Sequence, residues 1–258
     1  MVPGTRTHCT GGVLPRRTVR ISILMPTYEC PPELLEKAVI SVLKQTHQDV
    51  ELILKDGSVN KPAVENARIA ALVESAGSKV RYLLESDGSP RSLGFYPALN
   101  ACLEASTGSI LTFLGADDEC ADDETLAFVN TEFENHLSSP FLIYGIVEHI
   151  DSESKHLHNW ESPVPVTYEN MLSGAGAVAT PAVFWNREVH HKFGMFDASY
   201  PWAADFDFWT RCWRGTETKF VPRVLGRYRH WEVSGNASHL PQCEAEWRAI
   251  QKKRLESK

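Results

Sequence analysis

The chain has 258 residues, 43% of them hydrophobic and 23% charged, so it is long enough to bury a core and has an ordinary globular composition. Its 26 basic and 33 acidic residues give a net charge of −7, which excludes the overall positive field that attracts nucleic acid. No apolar run approaches the roughly 20 residues of a membrane span, and the six cysteines lack metal-site spacing, so we expect reduced thiols and a cytoplasmic location.

The first half of the chain alternates strand and helix patterns. Residues 1–18 are predicted to be a flexible leader, because no apolar segment follows their three arginines as it would in a secretory signal. Apolar runs predict four strands, at Val19–Met25, Val50–Leu54, Lys79–Leu84 and Ile110–Leu114. Helical spacing of apolar residues predicts the segments between them, at Leu34–Thr46, Val64–Ser75 and Phe95–Ala105. This alternation favours an α/β fold with a doubly wound, mostly parallel sheet.

The second half is less regular. Its predicted strands are Phe141–Ile150, His156–Trp160, Val178–Trp185 and Arg223–His230. Its predicted helices are Asp122–His136, Ala203–Arg214 and a terminal helix at Gln242–Leu255. The pattern indicates an α+β arrangement appended to the parallel sheet.

The sequence SILTFLGADD contains the most informative pair of acids. The apolar strand stops at the small residues Gly115 and Ala116, and Asp117 and Asp118 follow directly. Adjacent carboxylates repel each other unless a positive charge lies between them, and Mg²⁺ or Mn²⁺ shared with phosphate oxygens is a common solution. The alternative interpretation is that Asp117 or Asp118 is the N-cap of the helix that follows.

Polar residues also follow the first two predicted strands. After the first strand, Tyr28 could pack on a base or ribose and Glu29 could accept a hydrogen bond from a ribose hydroxyl, although a plain surface turn has the same composition. After the second, Asp56 could accept from a uracil N–H, and Gly57 would allow a close backbone approach; Asp-Gly-Ser is also typical of a simple turn. Three parallel strands that end in acidic loops predict a single crevice.

The motifs together resemble a known family. ISILMPTYE, LILKDGS and GFYPALNACLEASTGSILTFLGADD are similar to segments of the family-two glycosyltransferases of the GT-A fold, especially bacterial enzymes that build surface polysaccharides. FGMFDASYPWAADFDFWTRC resembles that family's acceptor-side segment, and RYRHWEVSGNAS resembles its closing loop. The resemblance implies one glycosyltransferase domain over residues 19–238, with a nucleotide-binding half at 19–118, an acceptor-side half at 119–238 and a C-terminal helix at 239–258.

The resemblance also implies residue roles. Asp117 takes the metal-ligating place of the family's DxD-type signature, with Asp118 beside it, and Asp205 takes the place of the catalytic acid. The remaining implied contacts are the nucleoside with Thr27, Tyr28 and Glu29, the base with Asp56, the metal or diphosphate with His230, and the diphosphate with Arg229. The chain departs from the family pattern at Gly115, Ala204, Lys55 and Pro97.

These roles imply a metal-dependent inverting transfer from a nucleotide sugar, a UDP-sugar in first place, to a hydroxyl of a glycan or lipid-linked acceptor. Asp205 would be the general base, and Mn²⁺ or Mg²⁺ would neutralise the charge of the diphosphate. Arg91 is a further candidate for contact with the diphosphate. Trp202 is a candidate for stacking on an acceptor sugar. The basic C-terminus could contact an anionic membrane surface, and the oligomeric state stays open. The alternatives are a non-catalytic nucleotide- or carbohydrate-binding domain and a sugar nucleotidyltransferase.

Overall fold

The structure is a computed structural model that describes residues 18–58, 61–84, 94–162, 165–231 and 239–256. The strands are β1 (Ile21–Thr27), β2 (Val50–Asp56), β3 (Val80–Leu84), β4 (Ile110–Phe113), β5 (Glu119–Cys120), β6 (Phe141–Ile150), β7 (His156–Trp160), β8 (Val183–Asn186) and β9 (Glu217–Arg229). The helices are α1 (Pro32–Leu43), α2 (Ala67–Ala76), α3 (Phe95–Ala105), α4 (Thr125–Phe133), α5 (Tyr168–Ser173), α6 (Glu188–Phe193), α7 (Ala204–Cys212) and α8 (Leu240–Glu256).

Within the described ranges, the nine strands form one sheet in the order β3-β2-β1-β4-β8-β6-β9-β5, with β7 paired to β6. The pairs β1–β2, β1–β4, β2–β3 and β6–β9 are parallel, whereas β8 runs antiparallel to both β4 and β6. The predicted α/β fold with a mostly parallel sheet is therefore confirmed. Because β1, β2 and β4 are parallel neighbours, their carboxyl ends meet at one edge, where Thr27 is in register with Asp56.

Apolar residues cover both faces of the sheet. Every residue of β1 is buried, as a strand covered by helices on both faces requires. One core packs α1, α2 and α4 against the sheet and includes Leu35, Ile69 and Phe133. The other packs α3, α5, α6 and α7 against the opposite face and includes Trp185 and Phe208. Of the five cysteines that lie in the described ranges, all are free thiols.

Several predicted boundaries differ from the structure. The strand predicted to begin at Val178 begins at Val183, because Pro181 has no N–H to donate to a neighbouring strand. The helix predicted over Asp122–His136 covers only Thr125–Phe133. In the part of the chain that the structure describes, no helix is both long and apolar enough to cross a membrane.

Candidate active site

The carboxylates of Asp117 and Asp118 lie together at the carboxyl end of β4. A Cβ atom added to Gly115 would lie 2.6 Å from Asp118 Oδ2 and 2.9 Å from Asp117 Oδ1. Both carboxylates therefore lean over the glycine, and no side chain fits at position 115 while they do. Gly115 thus leaves room for both carboxylates at this turn.

Asp118 is buried, with 6% of its surface exposed, and its Oδ1 accepts the backbone N–H of Arg229 at 2.9 Å. Burial, together with the negative charge of Asp117, raises the pKa of Asp118 well above its usual range, and Arg229 offsets only part of that effect. The charge of Arg229 is therefore not enough to offset burial and the neighbouring Asp117 carboxylate.

The N-cap interpretation of these acids is wrong. Helix α4 begins at Thr125 with Glu124 at the N-cap position, and Asp122 holds the preceding turn, since its Oδ1 accepts from the Glu124 N–H at 2.9 Å and from the Thr125 hydroxyl at 3.1 Å. Asp117 and Asp118 are thus not needed to begin the helix.

Two oxygen-bearing side chains at this place fit a hard divalent cation. Among the described residues, no group of three or more His, Cys, Asp and Glu side chains is arranged to hold a metal ion. A cation bound by Asp117 and Asp118 would therefore take its remaining ligands from water and from the oxygens of a substrate, as Mg²⁺ and Mn²⁺ commonly do beside phosphates.

Arg229, predicted to contact the donor, is fully buried beneath the two acids. Its Nε donates to the Asp117 carbonyl oxygen at 2.7 Å, its Nη1 donates to the Asp151 carbonyl oxygen at 2.8 Å, and its Nη2 pairs with the Glu119 carboxylate. The guanidinium is therefore occupied by the protein itself. Through these hydrogen bonds, Arg229 fixes the loop that carries Asp117 and Asp118.

The residues after Arg229 face in opposite directions. The indole N–H of Trp231 donates to Asp117 Oδ2 at 2.6 Å. The ring of His230, predicted as a metal ligand, instead stacks on His149, and its Nε2 lies 2.6 Å from His149 Nδ1. The structure thus brings Trp231 to the acidic pair and His230 to strands β6 and β7.

Burial and the neighbouring histidines His158 and His230 lower the pKa of His149 to about 4.

Asp56, predicted to meet the base, is fully buried and accepts hydrogen bonds from its own loop, from Ala63 and from Tyr82 of β3. Its Oδ1 accepts the Ser58 N–H at 2.8 Å, and its Oδ2 accepts the Ala63 N–H at 2.6 Å and the Tyr82 hydroxyl at 2.5 Å. This carboxylate therefore holds the end of β2 in shape, and it has little capacity left for a ligand.

The turn after β1 is better exposed. Tyr28 is 53% exposed at the edge of the crevice. Glu29 is exposed, has a left-handed backbone with φ of 49°, and donates its N–H to Ser58 Oγ at 2.8 Å. Thr27 is buried at the end of the strand. Tyr28 and Glu29 are therefore the members of this predicted nucleoside group whose side chains a ligand can reach.

Asp205 lies in the first turn of α7 and contacts α3. Its Oδ1 accepts the Tyr96 hydroxyl and the Phe206 N–H, both at 2.8 Å. Tyr96 is next to Phe95, whose ring centroid is 6.0 Å from that of Phe113 at the end of β4. The first turn of α3 thus connects Asp205 with the strand end that leads to the acidic pair. Burial is the main cause that raises the pKa of Asp205.

A carboxylate from the C-terminal helix holds the turn before Asp205. Glu246 Oε2 accepts the N–H groups of Trp202 and Ala203, each at 2.9 Å. The Trp202 ring, predicted to stack on an acceptor sugar, is stacked on His239 with 3.9 Å between ring centroids. One face of that indole is therefore already covered.

A largely apolar pocket opens beside Asp205 between α5, α7 and α8. Its walls include Met171, Val178, Phe206, Trp209, Trp247 and Gln251. Asp205 is the acid in this lining. The pocket therefore offers mainly aromatic and aliphatic surface next to one carboxylate.

Of the remaining candidate site residues, Asp207 lies in the described part of the chain and Arg91 does not. Asp207, predicted as structural, has 1% of its side chain exposed and pairs with Arg211 at 2.8 Å and with Arg254 at 2.5 Å. Arg91 and residues 232–238 of the predicted closing loop lie outside the described residues.

Comparison with known proteins identifies the family. The model of the family described as glycosyl transferase family 2 matches residues 22–181, which include Asp56, Asp117 and Asp118. The chain belongs to glycosyl transferase family 2. Since the match ends before β8, Asp205, Arg229 and the whole of α8 lie beyond the matched residues.

Several curated glycosyltransferases match most of the chain. A "PGL/p-HBAD biosynthesis glycosyltransferase" of Mycobacterium bovis is 28% identical over 213 residues, which are 83% of this chain and 75% of the relative. An "uncharacterized glycosyltransferase" of Rickettsia bellii is 24% identical over 245 residues, or 92% of this chain, and the chain spans only 34% of that relative's length.

Solved structures show that the fold is that of GT-A glycosyltransferases. The S. aureus TarS fragment 1–349 in complex with UDP gives a TM-score of 0.64 at 13% identity, covering 90% of this chain and 65% of TarS 1–349. The mannosyltransferase PcManGT from Pyrobaculum calidifontis, in complex with GDP-Man and Mn²⁺, gives 0.63 at 18% identity, covering 94% of this chain and 65% of PcManGT. The predicted family and fold are confirmed.

Sequence patterns did not indicate three residues that contact the candidate acids or the turn before Asp205. Tyr96, Trp231 and Glu246 reach Asp205, Asp117 and the turn before Asp205 respectively. Trp231 is next to the Arg229-His230 pair in the RYRHWEVSGNAS segment, so its position in that loop was a usable signal. Glu246 gave none, because its partners are 43 and 44 residues away along the chain.

Proposed function

We propose that this family 2 member is a metal-dependent inverting glycosyltransferase that moves a sugar from a nucleotide sugar to a hydroxyl of a glycan or lipid-linked acceptor. The observation that carries the proposal is the juxtaposition of the Asp117 and Asp118 carboxylates over Gly115, at the strand edge where the loops after β1, β2 and β4 meet. That edge is the usual ligand site of an open α/β sheet.

In this proposal, Asp117 and Asp118 hold Mn²⁺ or Mg²⁺, which when bound neutralises the charge that develops on the leaving diphosphate. The chain's own contribution is to keep both carboxylates in place. Trp231 donates to Asp117 Oδ2, and buried Arg229 supports the loop through the Asp117 carbonyl oxygen and Asp118 Oδ1. We assign Arg229 a positioning role, because its guanidinium is fully buried.

Asp205 is the proposed general base. Tyr96 and Phe206 both donate to Oδ1, so Oδ2 is the oxygen proposed to take the proton of the acceptor hydroxyl as it attacks the anomeric carbon. A carboxylate with a raised pKa is a stronger base than an exposed one. The position before Asp205 is Ala204, which is fully buried and carries no carboxylate. Asp205 is therefore the one acid of the family's acidic pair. With Asp205 as the base, the acceptor is proposed to attack directly from the face opposite the leaving group, which inverts the anomeric centre.

A UDP-sugar is the proposed donor. Support comes from the complexes of TarS with UDP and UDP-GlcNAc, while the complex of PcManGT with GDP-Man makes a guanosine donor the alternative to test. Exposed Tyr28 and Glu29 are proposed to contact the nucleoside. Asp56 is proposed to support that contact by shaping its loop.

The apolar pocket beside Asp205 supports a lipid-linked or otherwise apolar acceptor portion. Contact with an anionic membrane surface through the C-terminus remains part of the proposal. Arg254 would not take part in that contact, because it pairs with the buried Asp207. The other basic side chains near the end of α8 are Lys252, whose Nζ lies 3.9 Å from Glu256 Oε1, and Lys253, whose Nζ lies 5.5 Å from the centroid of the Tyr200 ring.

Donor turnover with Mn²⁺ and with EDTA tests the proposal. We expect release of UDP from a UDP-sugar only with the metal, and we expect Asp205→Asn to keep donor binding while losing transfer to a panel of glycan and aryl glycoside acceptors. Asp117→Asn should lose metal-dependent release. Equal donor binding by wild type and variant, with no transfer to any acceptor, would instead identify a binding domain. Formation of UTP from a UDP-sugar and pyrophosphate would identify a nucleotidyltransferase.

A further inference from the structure

Helix α7, which carries Asp205, begins without a capping side chain of its own. The residue before its first turn is Ala203, and the side chain of alanine has no oxygen to accept the free N–H groups at a helix start. Glu246 of α8 instead holds the two residues just before the helix, since its Oε2 accepts the Trp202 and Ala203 N–H groups at 2.9 Å each. The turn that leads into the proposed base is therefore held by another helix.

Helix α8 is fixed firmly enough to position a neighbour. Cys243 and Ile250 of α8 are buried. The ring of His239, just before α8, stacks on Trp202, and near the other end Arg254 pairs with the buried Asp207 of α7. Contacts at both ends of α8 thus set where the Glu246 carboxylate lies relative to α7.

We propose that Glu246 is a positioning residue for the transfer reaction: its carboxylate fixes the Trp202–Ala203 turn and so sets the placement of Asp205. This inference rests on the proposed function, because it takes Asp205 as the base. It also makes α8 part of the reaction centre, although the helix lies outside the residues matched by the family model.

The charges around Asp205 give the inference its distinguishing test. From α3, Tyr96 donates to the carboxylate, and from α8, Glu246 and the Cys243 thiol face it, whereas the facing segment 174–178 carries no ionisable side chain. The negative charge of Glu246 disfavours ionisation of Asp205 and so raises its pKa. Removing that charge without removing the oxygen acceptor should lower the pKa of Asp205.

The experiment compares Glu246→Gln and Glu246→Ala with Glu244→Gln, a matched control on the same helix whose carboxylate pairs only with exposed Arg248. Glutamine keeps an oxygen for both N–H groups, so most of kcat should be retained. A base works only when deprotonated, so the acid limb of the kcat profile should move to lower pH in Glu246→Gln. Alanine should lower kcat at least about tenfold with an unchanged KM for the donor, because it leaves the turn unsupported.

Titration of the Asp205 carboxyl by ¹³C NMR, assigned with Asp205→Asn, gives a readout that does not need turnover. A lower Asp205 pKa in Glu246→Gln, with no change in Glu244→Gln, supports the inference even if the donor and acceptor are other than proposed. An unchanged Asp205 pKa and kcat profile in Glu246→Gln overturns it, even where wild-type transfer establishes the proposed function. If Glu246→Ala fails to fold, the glutamine variant decides.

Discussion

At the scale of single residues, Asp56 and Asp118 are two buried carboxylates that differ in how far the protein itself stabilises them. Asp56 is surrounded by three donors, from Ser58, Ala63 and Tyr82, and is satisfied by the protein. Asp118 accepts from Arg229 but lies against the charge of Asp117, which leaves it with a raised pKa. The sequence predicts both acids at strand ends, but it cannot show which oxygens are already filled, because the donors come from other parts of the chain.

Asp56→Asn should therefore destabilise the fold. The amide nitrogen of asparagine would face at least one of the N–H or hydroxyl donors that now meet an oxygen, which costs about 2 kcal/mol. In a domain of this size, that loss lowers the Tm by roughly 4 to 8 °C. Asp123→Asn, at an exposed position, is the control and should leave the Tm unchanged. An unchanged Tm with weakened UDP binding would instead favour the base contact predicted from the sequence.

At the scale of elements, regular apolar patterns predict the long segments well. Strands β6 and β7 have the predicted bounds, and α3 does as well. The short helices α5 and α6 were not predicted, because six residues are too few to show helical periodicity. Helix α5 nevertheless has recognisable ends, since Thr167 accepts the Asn170 N–H and Gly174 takes a φ of 76° at its C-cap.

The docking of α8 on α7 can be tested by its ion pair. Arg254→Ala leaves the buried Asp207 carboxylate with only Arg211 as partner, so we expect a loss of about 2 kcal/mol in the free energy of unfolding by urea. Arg248→Ala is the control on the same helix, because its pair with Glu244 is exposed and should contribute little. Equal losses in the two variants would show that α8 docks through its apolar residues alone.

At the scale of the whole molecule, the last strand closes the site. Strand β9 runs parallel to β6 and pairs with β5, which places Arg229 beneath the acidic pair and Trp231 beside Asp117. The predicted boundary between residues 118 and 119 falls within this network, since Arg229 bonds to both Asp118 and Glu119. The acidic pair therefore needs both halves of the chain, although Asp117 and Asp118 themselves lie in the first half.

This arrangement predicts that metal and nucleotide stabilise the whole domain together. Mn²⁺ alone would find two carboxylates, and UDP alone would meet their negative charge, so each should raise the Tm only slightly. Together they should raise it strongly, because a ligand present at 100 times its Kd adds roughly 2.7 kcal/mol to the stability. Since coupling is reciprocal, Mn²⁺ should tighten UDP binding by the same factor by which UDP tightens Mn²⁺ binding.

Two variants separate this coupling from nonspecific effects. Asp117→Asn removes one of the two negative charges, so the combined Tm shift should fall towards the sum of the separate shifts. Asp123→Asn, which is exposed, should keep the full combined shift. A UDP-induced Tm shift of the same size in EDTA and in Mn²⁺ would contradict a metal held by the acidic pair. Calorimetric titration of UDP at several Mn²⁺ concentrations would measure the coupling between the two ligands directly.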